Sequence, residues 1–329
     1  MTRIASPIIA VMLALACLCI AGASGCSRPA PPLRIAVTPW PGYEYVVLAR
    51  DLGFFAAEGV DVQVVELESP GDARSAFENG LVDVNAATLV ELLVTRAQTG
   101  RRPQAFYVLD YSDGGDMLVA DSSIATIADL RGQRVAVEAA SVDLLALALA
   151  LESAGMTLAD VELAVMPQSE KPGEMRNHSV RAAQCFPPAS SEIEALPGTH
   201  RLFDSSRAPG MIVDVLVADS AAIAREPRRF MAVVRAVDRA QKWAGEHETE
   251  AIAAMAKREQ ITPEQFRAAL AGVELVPLAR QRAHLAPGGS AERAISSANR
   301  ALTHAGTLTS VPAGAQLVTT LAMPAEGAR

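Results

Sequence analysis

Short runs in which apolar and polar residues alternate recur along the first hundred positions, and each is followed by a segment with helical spacing of apolar residues. Alternation over four to eight residues predicts a strand, whereas apolar positions three or four apart predict a helix. We therefore predict strands at 33–38, 60–67, 81–86 and 105–110, and helices at 45–53, 72–79 and 88–98. This βαβ spacing predicts a mostly parallel sheet with helices on both faces.

The same alternation starts again near residue 117. A strand-like run occupies 117–120, and further strands are predicted to end at Val137 and to cover 161–166, 182–186, 200–203 and 211–218. Helical segments are predicted at 127–130, 141–153, 174–178 and 190–195. The chain therefore contains a second α/β unit after the first.

Beyond Asp219 the spacing is helical. An amphipathic helix is predicted at 227–243, and Thr262 with Gln265 forms a capping box around a helix that begins at Pro263. A last helix is predicted at 291–304, and the Ala- and Thr-rich tail after Pro312 is expected to be loose.

The segment 106–120, FYVLDYSDGGDMLVA, connects the two α/β patterns. Its three carboxylates and two glycines lie between apolar runs, which makes it a poor core segment and a good polar loop. Glycine permits positive φ and close approach of other groups. We expect this loop to carry the chain from one lobe to another at the mouth of a cleft, with a matching return between Ser205 and Ala218.

Composition narrows the classes of function. The 329 residues are 50% hydrophobic and 20% charged, which is typical of a globular protein with room for two lobes. The formal net charge of −8 argues against nucleic acid as a partner, because nucleic acid selects clustered Lys and Arg.

The N-terminus resembles an export signal. Arg3 precedes an apolar run at 8–20, and small residues lead up to Cys26. The sequence before Cys26 resembles the lipobox of bacterial lipoproteins, although Ala23 replaces the usual large aliphatic residue. This implies a signal peptide at 1–25, acylation of Cys26 and a tether at 26–32, in a lipoprotein anchored to the membrane in the periplasm. The alternative is cleavage by ordinary signal peptidase, which releases a free protein.

Familiar catalytic and metal-binding motifs are absent from the sequence. It has no GxSxG elbow, no phosphate loop and no HExxH, and its five histidines lack metal-ligand spacing. Cys185 lacks a motif that would activate a thiolate and is interpreted as a small buried apolar residue. Asp113 and Asp116 have the chemistry of an acid–base pair, but no nucleophile or metal ligand accompanies them. We predict no enzyme activity, no cofactor and no metal.

Six segments together resemble the substrate-binding proteins of bacterial ABC importers, in the NitT/TauT group that includes nitrate-, taurine-, alkanesulfonate- and thiamine-pyrimidine-binding proteins. They are IAVTPWPGYE, LARDLGFFAAEGVDVQVVE, GDARSAFENGLVDVNAAT, DLRGQRVAVE, LLALALALESAGM and LFDSSRAPGMIVDVLVADS. Their order and spacing carry the resemblance, which covers roughly residues 33–250.

This resemblance implies the type II periplasmic-binding-protein fold: an α/β protein of two Rossmann-like lobes with a hinge and an interlobe cleft. Lobe 1 is expected at 33–116 and 212–310, lobe 2 at 117–211 and a tail at 311–329. The implied function is capture of a small organic ligand by lobe closure and delivery to the ABC permease and ATPase subunits, by a monomeric protein.

The candidate ligand contacts are residues at strand ends, helix starts and the two crossings: Trp40, Tyr43, Thr88, Ser112, Asp113, Asp116, Ser141, Phe186 and Asp214. Trp40 and Tyr43 offer an aromatic wall or pack in a lobe core. Thr88 and Ser141 either cap helices or reach the ligand, and the amides behind Ser141 could bind an anion or a carbonyl. Phe186 precedes Pro187 rather than the relatives' Glu-Pro.

The charge of the ligand depends on which carboxylates face the cleft. Nitrate and sulfonate sites need positive or donor-rich groups, which Asp110, Asp113 and Asp116 would oppose. Two carboxylates in the cleft would favour a cation or a donor-rich neutral molecule, such as an amine or a pyrimidine, over a sulfonate-like ligand. We interpret Asp113 as the best ligand contact, and Asp110 and Asp116 rather as turn and hinge residues. The alternative functions are a solute sensor that does not transport and a pyrimidine-precursor enzyme on the same fold.

Overall fold

The computed structural model describes residues 30–309, 311 and 316–324. From Leu33 onward these residues belong to one compact unit. The predicted signal peptide and the predicted acylation of Cys26 lie outside the described residues, as does most of the tether at 26–32.

Eleven strands are present in the described part of the chain. In chain order they are β1 (Leu33–Val37), β2 (Val62–Glu66), β3 (Val84–Thr88), β4 (Pro103–Ser112), β5 (Met117–Asp121), β6 (Arg134–Val137), β7 (Glu162–Val165), β8 (Ala182–Cys185), β9 (Thr199–Asp204), β10 (Val213–Asp219) and β11 (Val273–Leu275).

The α-helices of the described residues are numbered in the same way. They are α1 (Glu44–Asp51), α2 (Phe54–Ala57), α3 (Pro70–Glu78), α4 (Leu89–Gln98), α5 (Val142–Glu152), α6 (Lys171–Arg176), α7 (Ala189–Glu194), α8 (Ser220–Arg225), α9 (Pro227–Glu246), α10 (Glu248–Arg258), α11 (Pro263–Leu270), α12 (Gln281–Leu285) and α13 (Ser290–His304). Short 3₁₀ helices cover Ile127–Leu130, Leu158–Asp160, Gln168–Glu170, Ser205–Arg207 and Leu278–Arg280.

The strands form two mixed sheets. The first has the order β11-β4-β10-β3-β1-β2 and the second the order β7-β6-β8-β5-β9. In the first sheet β1 is parallel to β2 and β3, and in the second β6 is parallel to β7 and β8. The predicted α/β class with two sheet-based lobes is confirmed.

The prediction of mostly parallel neighbours is wrong at the two strands that follow the crossings. After β4 the chain leaves the first sheet, and β5 enters the second sheet antiparallel to both β8 and β9. On its return β10 enters the first sheet antiparallel to both β3 and β4. Side chains alternate with the same period in both pairings, so the sequence pattern could not reveal the direction of these strands.

All ten residues of strand β4 are buried. Helices α4 and α12 pack against it, and burial of both faces explains a nearly continuous apolar run rather than strict alternation. The buried row includes the polar residues Gln104, Asp110 and Ser112. These groups therefore need partners inside the fold.

Several predicted boundaries require correction. The third strand, predicted at 81–86, is β3 at Val84–Thr88, because Leu81 is exposed in the turn after α3. The loose tail is wrong for residues 316–324, since Leu317 and Met323 are buried and the carbonyl of Leu317 accepts the Ala105 N–H at 2.8 Å. Strand β11 was not predicted. The Thr262 capping box is confirmed.

Candidate ligand-binding site

A small cavity lies where elements of the two sheets meet at the crossings. Its volume is about 20 Å³, which is room for about one water molecule. The first sheet and its helices supply most of the wall, and Asp116, Val142 and Phe186 close it from the crossing and the second sheet. The lining residues are Thr38, Trp40, Tyr43, Pro70, Ala86, Ala87, Thr88, Glu91, Asp116, Val142, Phe186 and Asp214.

Three aromatic side chains from both sides of the cavity form its apolar wall. Trp40 and Tyr43 follow β1, whereas Phe186 follows β8. The rings of Trp40 and Phe186 meet edge to face, with centroids 6.0 Å apart and planes at 87°. All three residues that the sequence offered as ligand contacts therefore line the cavity. Their packing and lining roles, which the sequence offered as alternatives, coexist.

A row of polar side chains crosses the first sheet beside the cavity. In the strand register Asp214 of β10 lies opposite Asp110 of β4 on one side and Thr88 of β3 on the other. Residues opposite each other in antiparallel strands project to the same face. The row is fixed by Trp40 Nε1, which donates to Asp110 at 3.2 Å, and by the Tyr43 hydroxyl, which donates to Asp214 at 2.5 Å.

The second oxygens of this carboxylate pair have no ordinary donor. Within the described part of the chain, no group donates to Oδ2 of Asp110 or to Oδ2 of Asp214. Asp110 and Asp214 lie opposite each other in the strand register and are close enough to alter each other's pKa. Two adjacent carboxylates away from water do not both ionise. The pair therefore shares a proton.

Burial is the main cause of the altered acidity of this row. It raises the pKa of Asp110 to about 7. Burial, followed by the negative charge of Asp110, raises the pKa of Asp214 well above its usual range. For Asp116, burial and then the charge of Asp214 raise the pKa in the same way. Burial therefore favours the protonated form of the carboxyl groups in and beside the cavity.

Two glycines allow the backbone to pass close to the side chains of Asp110 and Trp40. A Cβ on Gly42 would lie 1.8 Å from Asp110 Oδ2, and a Cβ on Gly115 would lie 2.6 Å from the Trp40 ring. Gly114 adopts φ of 107°. The glycine pair of the crossing thus supplies both of the properties that the sequence suggested, a left-handed backbone and close approach.

Glu91 connects the two sides of the cavity. It is the third residue of α4 and completes a capping box with Thr88, whose hydroxyl donates to Glu91 Oε2 at 2.5 Å. Its other oxygen, Oε1, accepts the backbone N–H of Val142 at 3.0 Å, at the start of α5. A carboxylate of the protein therefore occupies the helix start that was predicted to be available to an anion.

A second carboxylate makes the reciprocal contact. Glu138 follows β6 of the second sheet, and its Oε1 accepts the N–H of Gly71 in the first turn of α3 at 3.0 Å. Burial, followed by the negative charge of Asp143, raises the pKa of Glu138 to about 7. Burial also raises the pKa of Glu91. Two carboxyl groups with raised pKa thus join the opposite sides of the cavity.

Three of the predicted contacts lie outside the cavity. Asp113 is exposed, and its backbone N–H donates to the Gly272 carbonyl at 2.9 Å. Ser112 is bonded to Ser205 across the two crossings at 2.8 Å. Ser141 caps α5 and donates to the Glu138 carbonyl at 3.0 Å. Asp113, interpreted from the sequence as the best ligand contact, thus lies outside this cavity, whereas Asp116 is buried in its wall.

Sequence reasoning missed several lining residues, of which Glu91 matters most. Thr88 and Glu91 have the spacing of a capping box, so the signal was available. Thr38, Pro70 and Val142 are also lining residues and follow a strand or begin a helix. They carry no local motif that would single them out.

A nucleophilic thiol, a metal site and a membrane-spanning helix are further features that the described residues could supply. Cys185 is fully buried on β8, and burial raises the pKa of its thiol, so it is poorly suited to be a nucleophile. No group of three or more potential metal ligands is found among the residues that the structure describes. Nor does any helix in that part of the chain combine the length and apolarity needed to cross a membrane.

Comparison with protein families identifies the relatives of this cavity-bearing fold. The profile of the family described as NMT1/THI5 like matches residues 40–251, more than half of the chain. The chain belongs to this family. The matched segment contains every cavity-lining residue except Thr38. None of the curated protein sequences matches the chain.

Solved structures agree on the fold. The chain is similar to the alkanesulfonate-binding protein SsuA from Xanthomonas axonopodis pv. citri bound to MOPS, with a TM-score of 0.76 and 16% identity over 88% of this chain and 99% of that chain. It is similar to the Candida albicans CA3427 gene product, described as having the generic periplasmic-binding-protein fold, with a TM-score of 0.71 and 15% identity over 91% and 99% of the two chains.

A third neighbour is an enzyme. The desulfurization enzyme DSZB aligns with a TM-score of 0.65 and 16% identity over 88% of this chain and 96% of that chain. At these identities the likeness establishes the fold. The predicted resemblance to the NitT/TauT group is confirmed at the level of family and fold.

Proposed function

We propose that this protein is the exported solute-binding component of an ABC importer, which captures a small organic ligand and delivers it to the permease and ATPase subunits. The observation that carries the proposal is the small cavity between elements of the two sheets, with aromatic rings on its walls and polar groups in one row. Ligand sites of this kind combine apolar walls with a few placed polar groups.

Ligand capture is proposed to occur by movement of two lobes, 33–116 with 212–310 and 117–211. All strands of the first sheet fall in the first set of residues and all strands of the second sheet in the other, which supports this division. A cavity of about 20 Å³ is smaller than an organic solute, so the lobes must separate before a ligand enters. Separation would break the contacts of Glu91 with Val142 and of Glu138 with Gly71.

Binding without catalysis is the proposed activity, with no cofactor and no metal. Among the described lining residues the reactive types are carboxyl groups and one phenol, and neither Cys nor His belongs to the lining. The alternative of a pyrimidine-precursor enzyme predicts turnover in the absence of a transporter, and recovery of the bound solute unchanged in mass would argue against it. We further propose that the protein acts as a monomer without nucleic acid partners.

We also propose that the protein is held at the membrane in the periplasm by a lipid on Cys26. The support is the export-signal pattern that ends in Ala23-Ser24-Gly25 before this cysteine. Mass spectrometry of the mature N-terminus in a lipoprotein-processing bacterium checks this proposal. We expect Cys26 to be the first residue and to carry a diacylglyceryl thioether. An unmodified N-terminus at another residue would contradict it.

Solute binding can be tested with the two tryptophans of the chain. Trp243 stacks on His247 with centroids 4.6 Å apart, and it is not a lining residue, so Trp243→Phe leaves Trp40 as the reporter of the cavity. We screen alkanesulfonates, amines and pyrimidines by thermal shift in this variant. A true ligand at 100 times its Kd should stabilise the protein by about 2.7 kcal/mol and change the Trp40 emission over the same concentration range.

The matched control retains Trp243 and carries Trp40→Phe. In this variant the stabilisation should shrink and the remaining emission should not respond to the solute. The proposed function is wrong if no solute of any class stabilises the protein. It is equally wrong if the stabilising solute leaves the Trp40 emission unchanged.

A further inference from the structure

We propose that the solute is an organic ammonium ion, whose N–H groups bind the carboxyl groups of Asp214 and Asp116 while its carbon skeleton packs against Trp40, Tyr43 and Phe186. This inference rests on the proposed function and specifies the chemical class of the ligand. It differs from the anionic ligand named for the alkanesulfonate-binding neighbour.

The lining of the cavity is acidic. Three lining residues are acidic, namely Glu91, Asp116 and Asp214, and none of the lining residues is basic. Buried cations elsewhere already have partners, since Lys171 pairs with Asp143 and Arg258 with Glu44. A nitrate or sulfonate group would enter beside carboxyl groups without a cation to compensate its charge.

One carboxylate oxygen of Asp214 lacks an ordinary hydrogen-bond donor. Asp214 is 2% exposed and lines the cavity, yet apart from the proton that it shares with Asp110 its Oδ2 has no donor among the described protein groups. Asp110 behind it is fully buried with the same deficiency. An ammonium group has donors and no acceptor, so it is complementary to this pair. Leaving buried acceptors unmatched is costly, which favours a ligand that supplies the missing donors.

The aromatic wall of the cavity also favours an organic cation. Trp40, Tyr43 and Phe186 are buried lining residues that surround the acidic row from both sheets. The faces of aromatic rings attract organic cations, and the attraction grows when water is excluded. Inorganic cations prefer oxygen cages instead. Carboxyl groups together with aromatic rings therefore favour an ammonium carried on a carbon skeleton.

The helix start that was expected to bind an anion already has a carboxylate of the protein as its partner. The exposed amides at the start of α5 are the anion-binding feature that the sequence suggested for this fold. In the structure the N–H of Val142 is bonded to Glu91 Oε1 at 3.0 Å. The protein's own carboxylate thus occupies this position, and a sulfonate would have to displace it.

The shared proton makes binding depend on pH. Four titratable groups on neighbouring elements interact with Asp214. They are Asp110 on β4, Tyr43 before α1, Glu91 on α4 and Asp116 in the first crossing. When an ammonium N–H binds Asp214, its positive charge favours the ionised pair, and the proton shared by Asp110 and Asp214 leaves to water. Because burial holds the pKa of Asp110 at about 7, affinity should increase as pH rises from 6 to 8, by about tenfold.

The test uses three probes with one carbon skeleton and three charges: n-butylamine, n-butanol and n-butanesulfonate. Titration calorimetry of the purified protein at pH 6 and pH 8 gives their affinities. At pH 6, two buffers with different ionisation enthalpies count the protons released. We expect n-butylamine to bind at least tenfold more tightly than either other probe, with release of about one proton at pH 6 and tighter binding at pH 8.

The key variant is Asp214→Asn, which can still accept from Tyr43 and can donate to Asp110. We expect it to weaken n-butylamine binding at least tenfold and to remove most of the pH dependence. Asp61→Asn, at an exposed carboxylate of the same sheet region, is the matched control and should change neither.

Three outcomes would overturn the ammonium inference: tighter binding of n-butanesulfonate, n-butylamine binding that is unaffected by Asp214→Asn, or no n-butylamine binding at millimolar concentration. Each leaves the proposed function standing if a solute of another class still changes the Trp40 emission. If no solute of any class binds, the proposed function fails as well. The two failures are therefore distinguishable.

Discussion

Replacing Lys171 with methionine is expected to lower the free energy of unfolding by about 3–5 kcal/mol. Lys171 and Asp143 form an ion pair in which both side chains are 0% exposed. Lys171 Nζ also donates to the Gln184 carbonyl at 2.7 Å. Methionine has similar length but no charge, so the variant would leave Asp143 buried without its cation.

The expected loss of stability arises from the Asp143 carboxylate, which stays buried in the variant. Asp143 keeps the amide of Gln168 at 3.0 Å and the N–H of Glu138 at 2.7 Å as donors, but neither neutralises a charge in the interior. The pair itself need not add much stability, because burying both ions is costly. The double variant Lys171→Met/Asp143→Leu should therefore recover part of the loss, and urea unfolding of both variants measures it.

The matched control is an exposed lysine in the same type of pair. Lys242 Nζ lies 2.7 Å from Asp238, whose side chain is 5% exposed, but the Lys242 side chain itself is 71% exposed. Because water screens this ammonium and Asp238 keeps the Leu278 N–H as a donor at 3.0 Å, Lys242→Met should change the free energy of unfolding by less than about 1 kcal/mol. A similarly small effect of Lys171→Met would show that the interior around Asp143 is better solvated than its burial indicates.

The sequence predicted the architecture well where one local rule decides the outcome. The strands β1 and β2 and helix α4 follow from alternation, helical spacing and the capping box that starts with Thr88. The crossings followed from the polar, glycine-containing segments between apolar runs. These features depend on neighbours in the chain, which the sequence displays directly.

The direction of β5 and β10 could not be read in the same way. Each pairs with strands that are distant in sequence, such as β10 with β3 and β4. The pairing depends on how the chain re-enters a sheet after crossing, and the apolar pattern of the strand is the same in either direction. The family resemblance implied the two-lobed fold, but local periodicity alone did not.

The candidate site likewise contains residues that the sequence makes visible and pairings that it does not. Trp40, Tyr43 and Phe186 were found because large aromatic residues at strand ends are visible in sequence. The different burial of Asp113 and Asp116 was not visible, because an exposed turn position and a buried wall position lie only three positions apart in the same loop. The pairing of Asp110 with Asp214 depends on strand register over a separation of about a hundred residues, which no local signal encodes.

The acidic interior predicts an unusual dependence of stability on pH. We expect the free energy of unfolding to fall by at least about 2 kcal/mol between pH 5 and pH 8. The groups concerned are buried carboxyls whose pKa burial raises: Glu91, Asp110, Asp116, Glu138, Asp214 and Glu259. In the unfolded chain such groups release their protons near pH 4.

The direction follows from proton binding by the two states. Above about pH 4 the unfolded chain has lost protons that the folded protein retains, up to a pKa of about 7 for Asp110, Glu138 and Glu259. Each retained proton makes folding less favourable by about 1.4 kcal/mol for every unit that the pH rises within this window. His284, whose pKa burial lowers, acts in the opposite sense below about pH 6.5, but it is one group against six.

Asp110→Asn isolates the contribution of the proton-sharing pair. The asparagine amide can donate to Asp214 without taking up a proton, so the variant should unfold with a shallower pH slope and gain stability relative to the parent at pH 8. Asp61→Asn, at an exposed carboxylate, should leave the slope unchanged. Urea unfolding at pH 5, 6, 7 and 8 gives the slopes. If the parent becomes more stable over this range, or if Asp110→Asn keeps the parent slope, Asp110 and Asp214 do not share a proton. The same result would remove the reason to expect proton release when a cation binds.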